Sequence, residues 1–570
     1  MDWQTQTLEE EQVRSLSGEL KTSPALARLL VMRGLSDAVS AQAYLRPNLK
    51  DLACPFDITC LRDAAERVNS AIECRERIVV FGDYDVDGVT STVLLVSVLR
   101  AFGLDPHFFV PRRLEEGYGL SMPLLQRALA DIEPSLVIAV DCGTNAHEPV
   151  AFMRQQGMDV IIVDHHQAKS AARSDCLLVN PHVNDSADAA WRDLCTVGLV
   201  FKLMHGLLKL RRELGDPRAF HLKLSSFLDL VAMGTIADLV ALQGENRLLS
   251  WYGLQHLKQN RRSGVRALAH VSGLNKGHDF SSADIAFKLG PRINASGRLD
   301  DASKPIEMLL EGDFERCLIT AGELNTMNSE RQSIERSICQ AAEAQVDSYF
   351  SDAPGFVLYD QNWHPGVVGI VASRISRQFK RPCLVLGAEG SDAKGSGRSV
   401  NGVNLVSVLH ECQGLLEHWG GHPMAVGVSL SKLNVDAFRE SFIDTLQKQF
   451  PNGLPTQALI LDAWVDPLDV DEHLAGELDL LQPFGQGNPE PLLGMKGVFL
   501  DQAPRPMGKG HHRFLLPTGY GQSLTFVAWR PIEPPPASTS IDLAFRLGWN
   551  YWRGNRNLQA TLVSWRHSTA

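Results

Sequence analysis

The chain has 570 residues, of which 44% are hydrophobic and 21% are charged, and its formal net charge is -11. This length exceeds what one hydrophobic core can hold and predicts roughly three or four domains. The negative charge argues against nucleic-acid binding over the whole surface, although a local basic groove stays compatible with it. The sequence shows no signal-peptide pattern, no bilayer-length apolar run and no Cys-x-x-Cys pair, so it predicts a cytoplasmic protein without membrane contact, disulfide framework or cysteine zinc site.

The first part of the chain is predicted to be helical and the next part to be an α/β domain. Apolar runs within residues 1–70 end at Gly34 and Pro47, which predicts a helical lead-in that supports the catalytic domain. Within residues 71–305, short apolar runs alternate with helical patterns, which is typical of a parallel, doubly wound sheet. The predicted strands span residues 77–82, 106–110, 136–141 and 159–163.

The first predicted strand ends in three alternating carboxylates, Asp83, Asp85 and Asp87. Three acids within one turn repel one another unless a cation or a set of N–H donors compensates. A solvated acidic turn, or a helix N-cap, is an equally good interpretation of this turn taken alone.

Three further apolar stretches end in the same way. The side chains that follow them are Asp141, Asp164, His165, His166 and Asp238. Because parallel strands deliver their carboxyl ends to one edge of the sheet, these groups can converge with the first acids. A mixed carboxylate and imidazole set suits Mn²⁺ or Mg²⁺ better than a structural zinc, which favours cysteines.

The triplet Asp164-His165-His166, with the Asp-x-Asp run upstream, resembles the DHH phosphoesterase superfamily. The runs at residues 290–299 and 420–427 narrow this resemblance to the RecJ family of single-strand-specific 5′→3′ DNA exonucleases, over nearly the whole chain. The resemblance implies phosphodiester hydrolysis assisted by two Mn²⁺ or Mg²⁺ ions, roughly 3.5–4 Å apart.

The resemblance also implies a role for each of these side chains. Asp141 would bridge the two ions, Asp85 would hold one, and the other would be held by Asp87, His165 and Asp238. Asp83 and Asp164 would lie beside the ions, and His166 would meet the scissile phosphate. One position departs from the pattern: many DHH enzymes carry His where this chain has Phe81, so one ion needs another ligand, for which Asp83 is the candidate.

Two polar runs are candidates for contacts with substrate. Arg113 and Tyr118 lie in the run 110–120, where an Arg fork could match phosphate oxygens and a Tyr face could stack a base, while a charged surface loop is the alternative. The resemblance places Arg113 at the substrate phosphate.

The run 290–299 is predicted to be a polar loop at the active-site wall, with a solvated turn as the alternative. Its candidate substrate contacts are Arg292, Asn294 and Arg298.

The remaining chain is predicted to form a connecting helix and two more domains. Residues 306–349 give the helix, and residues 350–452 give a smaller α/β domain that resembles DHHA1, with glycine runs that could hold phosphate. The resemblance assigns Ser396 and Arg398 to the 5′ end of the substrate and turns His422 toward the catalytic lobe.

Short β-like runs between Gly and Pro turns predict a C-terminal all-β OB-fold at residues 453–570 that binds nucleic acid. Basic and aromatic residues interleave there as a single-strand stacking platform would, although a barrel core also needs aromatics. These residues are His511, His512, Arg513, Phe514, Phe526, Trp529, Arg530, Trp549, Tyr551, Trp552 and Arg553.

Together these patterns predict a metal-dependent exonuclease that degrades single-stranded DNA in repair and recombination. Two alternatives stay open: another DHH phosphodiesterase that cleaves short oligonucleotides or cyclic dinucleotides, and a non-catalytic single-strand-binding scaffold. The shorter DHH enzymes lack the terminal barrel, and a scaffold would have lost its acids. The resemblance further implies a monomer that works with a single-stranded-DNA-binding protein and a RecQ-type helicase.

Overall fold

The structure is a computed structural model. It describes residues 3–112, 116–117, 119–168, 175–259, 261–274, 279–299, 302–455, 458–518, 523–530, 532–552 and 555–568. In this part of the chain no helix combines the length and the apolar character needed to cross a membrane.

Strands and helices alternate through the first two thirds of the chain, and strands dominate the last part. The strands are β1 (Trp3–Thr5), β2 (Ile78–Gly82), β3 (His107–Phe109), β4 (Leu136–Val140), β5 (Asp159–Val163), β6 (Leu177–Val179), β7 (Phe356–Tyr359), β8 (Cys383–Glu389), β9 (Asp392–Arg398), β10 (His418–His422), β11 (Ala425–Ser431), β12 (Leu459–Leu461), β13 (Ala463–Trp464), β14 (Leu493–Phe499), β15 (Arg505–Met507), β16 (His511–Pro517), β17 (Ser523–Ala528), β18 (Ser540–Trp552) and β19 (Asn555–His567).

The helices vary from one turn to ten turns in length. The α-helices are Glu10–Leu20, Pro24–Met32, Ala38–Leu45, Leu61–Cys74, Val86–Ala101, Met122–Leu129, His147–Gln155, Pro181–Asn184, Thr196–Glu213, Pro217–His221, Leu228–Ala237, Gly244–Gln259, Ser263–Val271, Ser282–Asp284, Gly290–Leu299, Ser303–Leu310, Phe314–Tyr349, Val368–Phe379, Leu405–Glu411, Val435–Gln449 and Glu472–Asp479, and Ile285–Leu289 is a π-helix.

The first α/β domain is built on a five-stranded sheet in the order β3-β2-β4-β5-β6, with every neighbouring pair parallel. Both faces of the sheet are covered. On β2, Ile78 and Val80 belong to one hydrophobic core, while Val79 and Phe81 belong to the core on the opposite face. A strand buried on both faces has a continuous apolar sequence, which is why the sequence predicted a doubly wound parallel sheet correctly.

The N-terminal segment packs differently from the prediction. Val13 and Leu29, on the first two helices, lie in the same core as Phe526 and Phe545 of the C-terminal sheet. Strand β1 pairs in parallel with β12. The expectation that the whole lead-in supports the catalytic domain is therefore wrong for its first helices, because their apolar faces match a surface that is distant in sequence.

The long helix Phe314–Tyr349 links two hydrophobic cores. Near its start, Ala321 and Leu324 lie in a core of the first α/β domain. Near its end, Ala342 and Val346 pack with Phe356 in the core of the second α/β domain. That domain has a mixed sheet in the order β10-β11-β9-β8-β7, in which only β7 and β8 are parallel among the described strands.

The C-terminal strands form a seven-stranded sheet in the order β13-β14-β18-β19-β17-β16-β15. Its core contains Phe514 and Phe526, whose rings stack with centroids 5.0 Å apart. This part of the chain is all β apart from short helices, as the run of turn-bounded apolar segments predicted.

Candidate metal centre and active site

The carboxyl ends of four parallel strands lie at one level. Gly82 pairs with Val140, Val140 with Val163, and Val163 with Val179, each being the last residue of its strand. The residues that follow are therefore brought side by side along one edge of the sheet. They are Asp83, Asp141, Asp164 and Asn180.

The turn after β2 is held tightly against the following helix. Asp85 is the N-cap of Val86–Ala101, and its Oδ1 accepts from the backbone N–H of Asp87 at 3.0 Å and of Gly88 at 3.1 Å. A Cβ at Gly88 would lie 2.4 Å from the carbonyl oxygen of Asp83, so only glycine permits this approach. The N-cap interpretation of Asp85 is thus correct for one of its oxygens.

Asp87 and Asp141 are held by the start of helix Thr196–Glu213. The Oδ2 and Oδ1 atoms of Asp87 accept from the backbone N–H of Thr196 at 2.7 Å and of Val197 at 2.8 Å. The hydroxyl of Thr196 donates to Oδ1 of Asp141 at 3.0 Å. A helix N-terminus stabilises a carboxylate in this way, which places both buried acids in fixed positions.

Asp164 organises the loop that carries the two histidines. Its Oδ1 accepts from the backbone N–H of His165 at 2.8 Å and of His166 at 3.1 Å, and lies 2.8 Å from Nδ1 of His166. Its Oδ2 accepts from the N–H of Thr144 at 3.0 Å. The two oxygens of Asp164 thus have four hydrogen-bond contacts, which fix the positions of Thr144, His165 and His166.

His165 lies at the centre of the acids. Its Nε2 is 3.4 Å from Asp238 Oδ2, 3.6 Å from Asp141 Oδ1 and 4.0 Å from Asp87 Oδ2. This buried nitrogen has no hydrogen-bond partner among the described residues. Ligand atoms of Asp87, His165 and Asp238 all lie within 4.8 Å of one another, as do those of Asp141, His165 and His166. The edge therefore has the geometry of a cation site.

Electrostatics supports the same interpretation. Burial, followed by the charge of Asp85, raises the pKa of Asp83 to about 7 and that of Asp87 to about 7. Burial and the charge of Asp87 raise the pKa of Asp238 to about 9, and burial likewise raises the pKa of Asp141 well above its usual value. Carboxyl groups that resist ionisation together are the ones that a divalent cation would stabilise.

The pKa values of the two histidines are shifted in opposite directions. Burial, with the neighbouring His166, lowers the pKa of His165 to about 4, so this ring is neutral and able to bind a metal. The hydrogen bond to Asp164 raises the pKa of His166 to about 9. Burial alone would raise the pKa of Asp164, but its bonds to His166 and Thr144 hold that pKa well below its usual range. His166 is therefore a cation at neutral pH.

The run 290–299 is an α-helix, so the prediction of a polar loop there is wrong. Its small residues serve close packing: a Cβ at Gly297 would lie 2.4 Å from Cδ2 of Tyr84, in the acidic turn. Arg292 donates to Oδ1 of Asn325 at 3.1 Å and to the carbonyl of Lys288 at 2.6 Å. The Oδ1 of Asn294 is buried without a partner among the described residues.

Three predicted substrate contacts fall outside what the structure describes. They are Arg113, Tyr118 and the side chain of Arg298.

In the second α/β domain, Ser396 and Arg398 converge on the start of helix Val368–Phe379. A Cβ at Gly369 would lie 3.2 Å from Oγ of Ser396 and 3.7 Å from Nη2 of Arg398. Arg398 on β9 and His422 on β10 both pair with Ala425 of the strand between them, so the two side chains lie in one row across the sheet. Hydroxyl, guanidinium and helix N-terminus together suit a phosphate group.

The C-terminal aromatic residues divide into two groups. Phe514 and Phe526 are buried in the core. Trp529 is 43% exposed and lies edge-on to His511, with ring centroids 4.9 Å apart. Trp549 donates to Asp479 and carries the guanidinium of Arg556 on its face, 3.6 Å from the ring centroid. Among the aromatic side chains that the structure describes in this comparison, the stacking interpretation can apply to the second group and not to the first. The side chains of Tyr551 and Trp552, and the whole of Arg553, lie outside the described residues.

Sequence reasoning missed the groups that hold the acids and the histidine loop in place. They are Thr144, Asn180, Thr196 and Val197. One signal was available: Asn180 follows an apolar strand in the same way as the predicted ligands do. The backbone N–H groups carry no side-chain signal, and their role follows only from the tertiary fold.

Comparisons with known proteins identify the domains of the chain. The family model for the DHH family N-terminal domain matches residues 77–235, that for the DHHA1 domain residues 352–448, and that for the RecJ OB domain residues 461–564. The single-stranded-DNA-specific exonuclease RecJ of Escherichia coli (strain K12) is 32% identical over 572 residues, covering 97% of this chain and 97% of that protein. The chain belongs to the RecJ family.

Two other RecJ proteins extend the comparison. The RecJ of Bacillus subtilis (strain 168) is 36% identical over 507 residues, which cover 88% of this chain but 62% of that protein, so the chain spans less than two thirds of this relative. The crystal structure of RecJ in complex with Mn²⁺ from Thermus thermophilus matches with a TM-score of 0.82 and 30% identity, covering 100% of this chain and 80% of that one. The predicted RecJ resemblance, the α/β architecture and the C-terminal OB-fold are confirmed.

Proposed function

We propose that the chain is a metal-dependent exonuclease that degrades single-stranded DNA in the 5′→3′ direction, in DNA repair and recombination. The observation that carries the proposal is the unpartnered Nε2 of His165 facing three carboxylates at the edge of the sheet, among the residues that the structure describes. RecJ relatives bear the name of single-stranded-DNA-specific exonuclease, which supports the same activity here. In this proposal residues 71–305 cleave the substrate, residues 350–452 hold its end, and residues 453–570 bind the strand behind it.

The donor set fits two Mn²⁺ or Mg²⁺ ions. It combines carboxylate oxygens with one neutral imidazole, and burial disfavours its charge unless cations are present. Asp87, His165 and Asp238 would hold one ion, Asp85 the other, and Asp141 both. Asp83 is the candidate for the position left by Phe81. Such ions, when bound, supply a hydroxide at neutral pH and stabilise the negative charge of the leaving oxygen.

His166 and Asp164 act as a hydrogen-bonded pair. The bond from Nδ1 of His166 to Asp164 keeps the ring protonated and leaves Nε2 as a donor. A donor of this kind stabilises charge that develops on a phosphate oxygen. We assign His166 to the scissile phosphate and Asp164 to the orientation of His166.

The 5′→3′ direction depends on recognition of a terminal phosphate. Ser396, Arg398 and the N–H groups near Gly369 form the cradle to which we assign a 5′ phosphate. We further assign contacts along the strand to the remaining predicted substrate residues. They are Arg113, Tyr118, Arg292, Asn294, Arg298 and His422.

The setting of the enzyme is proposed from the family resemblance. We propose a cytoplasmic monomer that receives single strands from a RecQ-type helicase and a single-stranded-DNA-binding protein. The support for these partners is the family resemblance.

Comparison of three substrate classes tests the proposal against its two alternatives. Purified protein with Mn²⁺ is given a long single strand, a blunt duplex of the same sequence and a linear or cyclic dinucleotide, with Asp141→Asn as the control. We expect the wild-type protein to degrade the long single strand and neither of the other substrates. Asp141→Asn should degrade none of the three. Turnover of dinucleotides alone would assign the chain to the small-substrate phosphodiesterases, and strand binding without turnover would make it a scaffold.

A further inference from the structure

Asn180 is a fully buried amide next to the proposed active site, and its exposed fraction is 0%. It follows the last residue of β6 and lies at the same level of the sheet edge as Asp164. Its Nδ2 donates to the carbonyl oxygen of His166 at 2.9 Å and to Oγ1 of Thr144 at 2.8 Å. Its Oδ1 accepts from the backbone N–H of His182 at 2.9 Å.

The orientation of this amide is fixed by its neighbours. A backbone carbonyl only accepts, so the atom facing His166 must be the NH₂ group. A backbone N–H only donates, so the atom facing His182 must be the oxygen. Both ends of the amide are therefore used, and neither can be exchanged without leaving a buried group unpaired.

The contacts of Asn180 meet the network that holds His166. Thr144, which accepts from Asn180, also donates its N–H to Oδ2 of Asp164. The Oδ1 of Asp164 in turn accepts a hydrogen bond from Nδ1 of His166. Asn180 thus contacts the His166 backbone directly and braces the partner of its ring through Thr144.

Asn180 also holds the histidine loop indirectly, through His182. By capping helix Pro181–Asn184, Asn180 sets the position of His182. The Nδ1 of His182 lies 3.0 Å from Nε2 of Gln167, the residue after His166. The end of β6 therefore holds the histidine loop at two consecutive residues.

We propose that Asn180 is a positioning residue for His166. It fixes the loop after β5, so that the imidazole stands opposite the scissile phosphate before substrate arrives. This inference rests on the proposed function, because it takes the role of His166 from it. Preorganisation of this kind affects the chemical step more than substrate affinity, since a displaced donor still permits binding.

A purely structural role would need only half of the side chain. Capping of a short helix uses Oδ1 alone, and serine serves there as well as asparagine. The two donors of Nδ2 have no part in capping. Asn180→Ser keeps a capping oxygen and removes the contacts with His166 and Thr144, so it separates positioning from capping.

The test compares this substitution with a matched one on the same short helix. Asn184 donates its Nδ2 to the carbonyl of Leu178, on β6 rather than on the histidine loop, so Asn184→Ser is the control. With saturating Mn²⁺ and a long single strand, we expect Asn180→Ser to lower kcat roughly 10- to 100-fold. KM, and the Mn²⁺ affinity measured without DNA, should stay near the wild-type values. Asn184→Ser should keep kcat.

Thr144 provides a second pair of variants if Asn180→Ser fails to fold. Thr144→Ser retains the hydroxyl and should keep kcat, while Thr144→Val removes it and should lower kcat. Unchanged kcat in folded Asn180→Ser or Thr144→Val, or an equal loss in Asn184→Ser, would overturn the assignment.

One readout needs no catalytic activity. In protein labelled with ¹⁵N-histidine, the Nδ1–H proton of His166 bonded to Asp164 should give a downfield resonance that broadens or shifts in Asn180→Ser and persists in Asn184→Ser. The same resonance in both variants would refute positioning. A wild-type protein inactive on every phosphodiester, with the expected resonance change, would refute the proposed function and leave Asn180 as the residue that orients His166.

Discussion

The Nε2 atom of His165 lies 3.4 Å from Oδ2 of Asp238, and it has no hydrogen-bond partner among the residues that the structure describes. A buried nitrogen aimed at carboxylates is costly unless a cation lies between them. We therefore expect His165→Ala to weaken binding of Mn²⁺ to the DNA-free protein roughly 100-fold or more at one of two sites. Titration followed by the electron paramagnetic resonance of free Mn²⁺ measures this.

His205 offers the matched control for this prediction. It is also a partly buried histidine with a lowered pKa, caused by burial, but it lies within helix Thr196–Glu213. His205→Ala should bind Mn²⁺ as the wild-type protein does. Equal Mn²⁺ affinity in both variants would show that His165 is not a ligand.

The raised pKa values of the acids predict how stability depends on pH. Burial and neighbouring charges raise the pKa of Asp87 to about 7 and that of Asp238 to about 9 in the folded protein. A group with a raised folded-state pKa contributes stability at low pH that is lost as pH rises through that value. The metal-free protein should therefore lose unfolding free energy from about pH 4, the ordinary pKa of an Asp, up to about pH 7 through Asp87 and up to about pH 9 through Asp238. Mn²⁺ should bind more tightly as pH rises and offset the loss.

Urea denaturation with chelator or with Mn²⁺, at the two ends of this range, measures the effect. Asp238→Asn removes the group whose pKa is raised to about 9 and should flatten the dependence of the metal-free protein. Stability that rises with pH in chelator would contradict the assigned pKa shifts.

The sequence predicted the catalytic fold because its signal is local. The buried strands β2, β4 and β5 are continuous apolar runs, each followed by an acid, and parallel pairing dictates that these acids meet. The pairing register could not be read from these runs, although it is what aligns Asn180 with Asp164.

The errors arose where tertiary contacts decide the outcome. The polar run 290–299 was predicted to be a loop because it is rich in Gly, Ser and Asn, but packing of Gly297 against Tyr84 favours a helix there. The first helices join the C-terminal core because their apolar faces match it, and helical periodicity does not identify a partner.

Two helical glycines predict opposite effects of the same substitution. At Gly234 a Cβ would lie 2.6 Å from Oγ1 of Thr90 and 2.9 Å from Oδ1 of Asp87, so Gly234→Ala must displace a proposed ligand. We expect it to cost about 1–3 kcal/mol of unfolding free energy and to weaken Mn²⁺ binding.

Gly322, in helix Phe314–Tyr349, has nothing within 4 Å of the same position among the described residues. Gly322→Ala should stabilise the protein by about 0.5–1 kcal/mol, with no change in Mn²⁺ binding. Thermal denaturation and Mn²⁺ titration of both variants check the pair. If both variants bind Mn²⁺ equally well, Asp87 is not part of the cation site.

The proposed phosphate cradle predicts a preference for a particular strand end. Arg398→Gln removes the guanidinium that lies beside Ser396 and Gly369. We expect the ratio of degradation rates for 5′-phosphorylated and 5′-hydroxyl strands to fall roughly tenfold or more. Arg377→Gln, on the exposed side of helix Val368–Phe379, should keep the wild-type ratio. If the ratio stays at the wild-type value in Arg398→Gln, the cradle binds some other group.

The most direct test of the central claim is digestion of a long single strand labelled at either its 5′ or its 3′ end, with Mn²⁺ or with chelator, by the wild-type protein and Asp141→Asn. The proposed function predicts immediate release of short 5′-labelled products, late release of the 3′ label, and no release with chelator or in Asp141→Asn. Early release of the 3′ label would contradict the direction, and equal digestion in chelator would contradict the assignment of the sheet edge as a metal-dependent active site.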